Sequence, residues 1–262
     1  MMDPQEQFDV AVVVPTILRP ELVRAVESVY RQDIEGRVQI LIGVDKRVGD
    51  TALLHDLQQR APAHMHVTVV DPGYSTSARH GGLYSNHYSG ALRTILSYLA
   101  NSRYVAYLDD DNWYAPDHLR TLRAAIDGHP WAFSNRWLAH PDGTTGIMID
   151  DFESVGPAAG IYKDRFGGFV DTSCFMFDKL ACHMIFPFWS LAMFATGDGE
   201  DRMVLKTLLD NGIAGVGSGV PSVYYMLDPK DGNHALRLHY MREKGIDVDA
   251  LDFSSEHRLM AR

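Results

Sequence analysis

The first part of the chain alternates short, continuous apolar runs with amphipathic stretches in which apolar residues recur every three or four positions. Runs rich in β-branched residues and closed by turn residues are typical of strands buried on both faces. Strands that alternate with helices predict a mostly parallel sheet covered by helices, which is an α/β fold. The expected strands are Phe8–Val14, Val38–Val44, His66–Val70 and Tyr104–Leu108, and the expected helices are Glu21–Arg31, Thr51–Arg60, Tyr88–Ala100 and Pro116–Asp127.

The pattern changes near residue 130, where short strand-like pieces and Gly or Asp turns replace the regular alternation. We therefore expect one domain with two halves and no linker: a first half of about 8–130, a smaller mixed half of about 131–230, and a polar C-terminal tail of 231–262. The elements expected after residue 130 are strands at Trp131–Leu138, Gly146–Ile149 and Val220–Leu227, a helix at Asp198–Asn211, and a weak helix around Ala235–Lys244.

Three glycines at alternate positions, Gly215, Gly217 and Gly219, resemble a phosphate-binding loop only superficially. A glycine-rich phosphate loop opens a helix, whereas these residues precede a strand. We expect them to mark bends before the strand at Val220.

Composition excludes several classes of protein. The chain has 262 residues and a formal net charge of −10, which argues against a protein that mainly grips nucleic-acid phosphates. Two cysteines cannot build a disulfide framework or a four-cysteine zinc site, so we expect a reducing, cytoplasmic location. The first ten residues lack a secretory signal pattern, and no apolar stretch approaches the about 20 residues that cross a bilayer.

The most apolar segment of the second half is Met184–Ala195, which Pro187 and Ser190 interrupt. We expect it to contribute to the core. A hydrophobic binding site, a peripheral membrane contact and a homodimer surface remain as alternatives.

Three consecutive carboxylates, Asp109, Asp110 and Asp111, directly follow the apolar strand Tyr104–Leu108. In open α/β sheets, ligands bind at the carboxyl ends of the parallel strands. Such a cluster repels itself without a cation, and hard oxygen ligands favour Mg²⁺ or Mn²⁺. The sequence therefore predicts a cation-dependent site here, and an acidic loop or a helix cap is the alternative.

A second acidic pair, Glu200 and Asp201, opens the expected helix at Asp198–Asn211. Carboxylates at a helix N-terminus are stabilised by the helix dipole, so simple capping is one interpretation. The other is a proton acceptor, because two adjacent carboxylates raise the pKa of one of them.

Four segments taken together resemble the family 2 glycosyltransferases of GT-A fold. They are VAVVVPTILRPELVRAVESVYRQ, Asp45 after ILIGV, YVAYLDDDNWYAPDHL, and GDGEDRMVLKTLL, and the resemblance covers about residues 8–210. It implies a Rossmann-like, mostly parallel sheet flanked by helices, with a smaller mixed sub-domain on the acceptor side. It also implies metal-dependent, inverting transfer from a nucleotide-diphosphate sugar, expected to be UDP-linked. The acceptor is a hydroxyl of an unidentified saccharide, lipid-linked or small molecule.

The resemblance also implies residues for the donor. Pro15, Thr16 and Arg19 line the base and ribose side, and Asp45 meets the base or ribose. Arg79 is a candidate for the base or a phosphate, because a guanidinium makes two-pronged bonds to phosphate. A solvated loop is the alternative for Arg79.

Within the triple aspartate, the resemblance assigns Asp109 and Asp110 to the ribose and nucleotide. Asp111, assisted by Asp109, holds Mn²⁺ or Mg²⁺ against the diphosphate. His234, after the last strand, is a further candidate for the metal or the diphosphate.

On the acceptor side, the resemblance assigns Asp201 as the general base, and Glu200 binds the acceptor or orients Asp201. Asp171 and Trp113 are candidate sugar contacts; a turn cap for Asp171 and core packing for Trp113 are the alternatives. Two other functions remain open, a retaining transferase and a nucleotide-sugar-binding protein without turnover.

Overall fold

A mixed sheet of nine strands organises the chain in the computed structural model, which describes residues 7–140, 142–143, 145–251 and 253. The sheet order is β3-β2-β1-β4-β10-β6-β11-β5, β7 pairs with β6, and β8 and β9 form a separate small ladder. The strands are β1 Phe8–Thr16, β2 Val38–Val44, β3 Met65–Val70, β4 Ser102–Tyr107, β5 Trp113–Tyr114, β6 Trp131–Ala139, β7 Gly146–Ile149, β8 Gly156–Pro157, β9 Gly168–Phe169, β10 Phe175–Asp178 and β11 Val216–Met226.

The four strands expected in the first half form the parallel part of the sheet. Val12 of β1 lies opposite Ile40 of β2 and Ala106 of β4, and all three side chains are fully buried. Helices cover both faces, as the continuous apolar character of these strands requires. The predicted α/β fold is therefore confirmed.

Eight α-helices pack against the sheet or extend from it within the described residues. None of them is long and apolar enough to cross a bilayer. The helices are α1 Glu21–Tyr30, α2 Ala52–Arg60, α3 Gly90–Leu99, α4 His118–Ala125, α5 Lys163–Phe166, α6 Lys179–Cys182, α7 Glu200–Asp210 and α8 His234–Glu243.

The second half continues the same sheet instead of starting a new one. Strand β10 runs antiparallel between β4 and β6, so it joins the two halves through backbone hydrogen bonds. Strands β6 and β11 then run parallel to each other. The predicted tail is described only as far as α8, a 3-10 turn at Val248–Ala250 and Phe253; residues 254–262 lie outside the described part.

Strand β11 begins at Val216, four positions earlier than expected, and includes two of the three glycines. A side chain at Gly215 would meet the ring of Trp131 at 2.1 Å, and one at Gly217 would meet Phe133 at 3.1 Å. The glycines therefore make room for aromatic rings of the neighbouring strand. The irregularity lies inside β11, where its register against β6 shifts between Gly217 and Pro221.

The apolar segment Met184–Ala195 is half core and half surface. Its 3-10 helix, His183–Ser190, buries Ile185, Phe186 and Trp189 completely or nearly so, and leaves Met184 56% exposed. The Trp189 ring lies 4.7 Å from that of Tyr107 on β4, so this segment closes the core beneath the central strands.

We expect the substitution Trp189→Ala to lower the free energy of unfolding by about 3–5 kcal/mol, because it empties a fully buried aromatic site. The neighbouring change Met184→Ala removes an exposed side chain and is expected to cost less than about 1 kcal/mol. Urea unfolding of both variants measures the difference. Equal losses would contradict the burial of Trp189.

Candidate active site

A cavity of about 870 Å³ opens at the carboxyl ends of β1 and β4, between the two halves of the chain. Parallel neighbours end at the same edge of a sheet, which brings together residues far apart in sequence. Ten of the thirteen predicted site residues line this cavity: Pro15, Thr16, Arg19, Arg79, Asp109, Asp110, Asp111, Asp171, Glu200 and Asp201. Asp45, Trp113 and His234 are not among its lining residues.

The end of β1 is bonded to the triple aspartate. Thr16 Oγ1 donates to Asp110 Oδ2 at 2.7 Å and accepts from the backbone N–H of Leu18 at 2.8 Å. Leu18 has a positive φ of 64°, a conformation that is strained for a branched side chain. The sharp turn after β1 therefore keeps the Thr16 hydroxyl on Asp110.

Arg19 bridges two carboxylates of the triple aspartate, Asp110 and Asp111. Its two terminal nitrogens lie 2.9 Å from Asp110 Oδ1 and 2.9 Å from Asp111 Oδ2. Burial raises the pKa of Asp110, and it raises the pKa of Asp111 to about 6, while the Arg19 charge opposes both shifts. The guanidinium thus offsets part of the repulsion within the aspartate cluster.

Arg93 on α3 joins the two acidic motifs, and sequence reasoning missed it. Its guanidinium is almost completely buried; one terminal nitrogen contacts Asp109 and the other lies 3.1 Å from Glu200 Oε1. Arg93 shares the buried face of α3 with Leu92 and Leu96. A charged residue on an apolar helix stripe is the signal that identifies such a residue from sequence.

The acidic pair lies in the first turn of α7. Gly199, at φ 86°, occupies the N-cap position, so neither carboxylate is the capping residue itself. Burial raises the pKa of Glu200 to about 7 against the opposing charge of Arg93, and burial also raises the pKa of Asp201. Asp201 Oδ1 accepts the N–H of Arg202 at 2.7 Å. The pair therefore stabilises the helix start while it faces the cavity.

Asp171 belongs to a buried ionic network that also lines the cavity. Arg136, fully buried on β6, lies 2.6 Å from Asp171, 2.8 Å from Asp150 and 2.8 Å from Glu153. Arg237 of α8 contacts Glu153 at 2.7 Å. Burial raises the pKa of Asp171 to about 7 despite Arg136. No motif in the sequence indicates Arg136 or Arg237, because their partners come together only in the folded chain.

Asp45 is fully buried and its carboxylate is occupied by the loop that follows β3. It accepts hydrogen bonds from Ser75, Thr76, Ser77 and His80 at 2.9–3.3 Å. These bonds outweigh the effect of burial and hold the pKa of Asp45 below its usual value. Asp45 therefore fixes the loop that carries Arg79 and His80, two residues that line the main cavity. Asp45 itself lines a smaller cavity of about 150 Å³.

Trp113 and His234 have other surroundings. Trp113 stacks on Tyr224 with ring centroids 5.2 Å apart, and the Arg24 guanidinium lies 4.2 Å from its ring. His234 is the first residue of α8, and its ring is perpendicular to that of Phe253, with the ring centroids 4.9 Å apart. Within the described residues, no three His, Cys, Asp or Glu side chains form a ready-made metal cluster.

Arg202, next to Asp201, lies in a cage of four aromatic rings at the cavity wall, another feature that sequence reasoning missed. Its guanidinium carbon lies 4.7 Å from the ring of Tyr162, 5.6 Å from Phe166, 4.8 Å from Phe169 and 5.7 Å from Phe194. Its Nε is buried and has no hydrogen-bond partner. The cage draws on residues from three separate segments of the second half.

No family model and no curated protein matches this chain. Solved structures do match its fold. TarS 1–349 of S. aureus in complex with UDP-GlcNAc has a TM-score of 0.57 at 15% identity, over 95% of this chain and 69% of that one. The mannosyltransferase PcManGT of Pyrobaculum calidifontis, in complex with GDP-Man and Mn²⁺, has a TM-score of 0.58 at 14% identity, over 92% of this chain and 63% of that one. The chain therefore has the GT-A-like α/β fold that its sequence predicted.

Glu200 makes the stability of the protein depend on pH. Its pKa of about 7 in the folded state lies above its ordinary value of 4.5, so between these values the unfolded chain binds fewer protons and stability falls as pH rises. We expect Glu200→Gln to reduce the stability lost between pH 5 and pH 8 by on the order of 1–3 kcal/mol. Urea unfolding at both pH values tests this, with the exposed Glu35→Gln as control. An unchanged pH dependence in Glu200→Gln would contradict it.

Proposed function

We propose that this chain is a metal-dependent, inverting glycosyltransferase that moves a sugar from a UDP-linked donor to an acceptor hydroxyl. The observation that carries the proposal is one cavity lined both by Asp109, Asp110 and Asp111 and by Glu200 and Asp201, with Arg93 between the two acidic motifs. The bound ligands named for the structures of similar fold, UDP-GlcNAc, UDP, and GDP-Man with Mn²⁺, support a nucleotide sugar as the donor.

The aspartates suit a divalent cation. The side chains of Asp109 and Asp111 are 28% and 26% exposed, and each is bonded to a guanidinium through only one of its two oxygens. Mg²⁺ and related ions commonly take one or two carboxylates together with substrate phosphate oxygens. The free oxygens of Asp109 and Asp111 would hold the ion, which supplies positive charge opposite the departing diphosphate.

His234 has no part in this assignment, because it does not line the cavity. Pro15, Thr16 and Arg19 border the same cavity on the β1 side, where they are available to the ribose and base. Asp45 acts on the nucleotide indirectly, because its carboxylate holds the loop that carries Arg79 and His80.

Asp201 is the proposed general base. The acceptor hydroxyl gives its proton to the Asp201 carboxylate while its oxygen bonds to the anomeric carbon. The bond from that carbon to the diphosphate oxygen breaks, and the nucleoside diphosphate leaves with the electron pair. Burial raises the pKa of Asp201, which makes it a better proton acceptor than an exposed aspartate. Its Oδ2 has no hydrogen-bond partner in the described part of the chain and is free for the acceptor.

The finer assignments follow from the same motifs. We propose that residues of about 8–130 form the half that binds the donor and that residues of about 131–230 form the half that binds the acceptor. We also propose that the chain is a member of the family 2 glycosyltransferases. The free, buried thiols of Cys174 and Cys182 are consistent with the proposed cytoplasmic location.

Metal dependence can be tested with Asp111→Asn. We expect Mn²⁺ to strengthen UDP binding to the unmodified protein, and we expect this gain to disappear in the variant because one ligand oxygen no longer carries negative charge. Titration calorimetry measures the affinity for UDP of both proteins, once with Mn²⁺ and once with EDTA. Asp117→Asn, at the start of α4 and outside the cavity, is the control. Equal UDP affinity of the unmodified protein under both conditions would exclude the metal role.

The base is tested by Asp201→Asn. Donor affinity should stay nearly unchanged, whereas turnover should fall by about 10²–10⁴, the usual contribution of a positioned general base. Nucleotide sugars are screened for transfer or hydrolysis with Mn²⁺, and Asp210→Asn at the exposed end of the same helix is the control. Normal turnover in Asp201→Asn, with the donor's anomeric configuration kept in the product, would instead identify a retaining enzyme.

A further inference from the structure

The guanidinium groups that line the cavity differ in their partners. Arg19, Arg93, Arg136 and Arg237 each contact two or more carboxylates, so their charges are already compensated within the protein. Arg202 lines the same cavity, and in the described part of the chain no carboxylate forms an ion pair with it. Its charge acts on the adjacent Asp201, but no carboxylate of the described residues contacts its guanidinium, and in a chain of net charge −10 this requires an explanation.

The Arg202 guanidinium lies among four aromatic rings and also lines the cavity. Rings lie within 4.7–5.7 Å of its central carbon, and such contacts stabilise the cation and remove water from it. The edge of the guanidinium carries the N–H donors, and these form two-pronged bonds with planar or tetrahedral oxyanions. A caged guanidinium that lines a cavity can therefore bind an anion there through its N–H donors.

A second cation, the exposed Arg165, adjoins one ring of the cage. The Arg165 guanidinium carbon lies 4.8 Å from the ring of Phe166, the same ring that Arg202 contacts at 5.6 Å. Arg165 also lines the cavity and has no ion pair in the described part of the chain. Two like charges on one ring repel each other, and a bound oxyanion would relieve that repulsion.

We propose that Arg202, assisted by Arg165, forms a subsite for an oxyanion of the acceptor, a phosphate or a carboxylate. This inference rests on the proposed function. Arg202 directly follows Asp201, the proposed base, and every ring of its cage belongs to the acceptor half. The proposed function assigns the donor diphosphate to other residues of the same cavity, the triple aspartate. The subsite would therefore hold the acceptor by its charge and present a neighbouring hydroxyl to Asp201.

The test uses inorganic phosphate and acetate as probes, titrated into protein saturated with UDP and Mg²⁺ so that the diphosphate position is filled. Loss of a charge-assisted, two-pronged contact typically weakens binding by about tenfold or more, and we expect this for Arg202→Gln. Arg202→Lys keeps the positive charge but loses the two-pronged geometry, so its affinity for the probes should lie between those of the unmodified protein and Arg202→Gln. Arg123→Gln is the matched control, because Arg123 stacks on Tyr104 at 3.7 Å, away from the cavity.

Each outcome of this titration decides the inference. A drop in phosphate affinity alone assigns a phosphate-bearing acceptor, and a drop in acetate affinity alone assigns a carboxylate. Unchanged affinity in a folded Arg202→Gln variant, no binding of either probe, or weaker UDP binding in that variant would overturn the subsite. If UDP binds no form of the protein, the proposed function fails, and the same titration without UDP still tests the anion subsite by itself.

Discussion

The site depends on one buried guanidinium that holds acidic residues from two distant parts of the chain. Arg93 contacts Asp109, at the end of β4, and Glu200, at the start of α7, and is almost entirely shielded from water. Removing one member of a buried ion pair leaves an uncompensated charge, at a typical cost of about 3–5 kcal/mol. The two acidic motifs can therefore face one cavity only because α3 supplies the opposite charge between them.

The part of the cavity that is built by Arg136 and Arg237 repeats this principle. Arg136 and Arg237 contact Asp150, Glu153, Asp171 and Asp231 and offset part of their negative charge, and these carboxylates come from three stretches of the chain after residue 130. Beside its long elements β6, β11 and α7, the second half contains very short ones, and its strands β8 and β9 have two residues each. Ionic contacts with defined geometry therefore position a wall that regular secondary structure alone would leave poorly specified.

Sequence periodicity predicted the elements that are long and buried. Strands β1, β2 and β4 and helices α1, α3 and α7 follow the expected pattern, and the aspartates after β4 lie at the cavity because parallel strands end together. Local patterns gave no sign of β5, which has two residues, or of Arg136, whose partners are distant in sequence. Asp45 faces the expected edge of the sheet, yet a loop of hydrogen-bond donors occupies it, and only the folded loop reveals this.

The caged Arg202 also affects the neighbouring carboxylate of Asp201, the proposed base. The positive charge of Arg202 lowers the pKa of Asp201, while burial raises it by more. An oxyanion bound to Arg202 would cancel part of that positive charge, so the pKa of Asp201 would rise further when the acceptor is in place. A carboxylate with a higher pKa accepts a proton more readily, which couples acceptor binding to the strength of the base. With the proposed base and subsite, this arrangement would favour proton transfer from a bound acceptor over activation of an unbound water molecule.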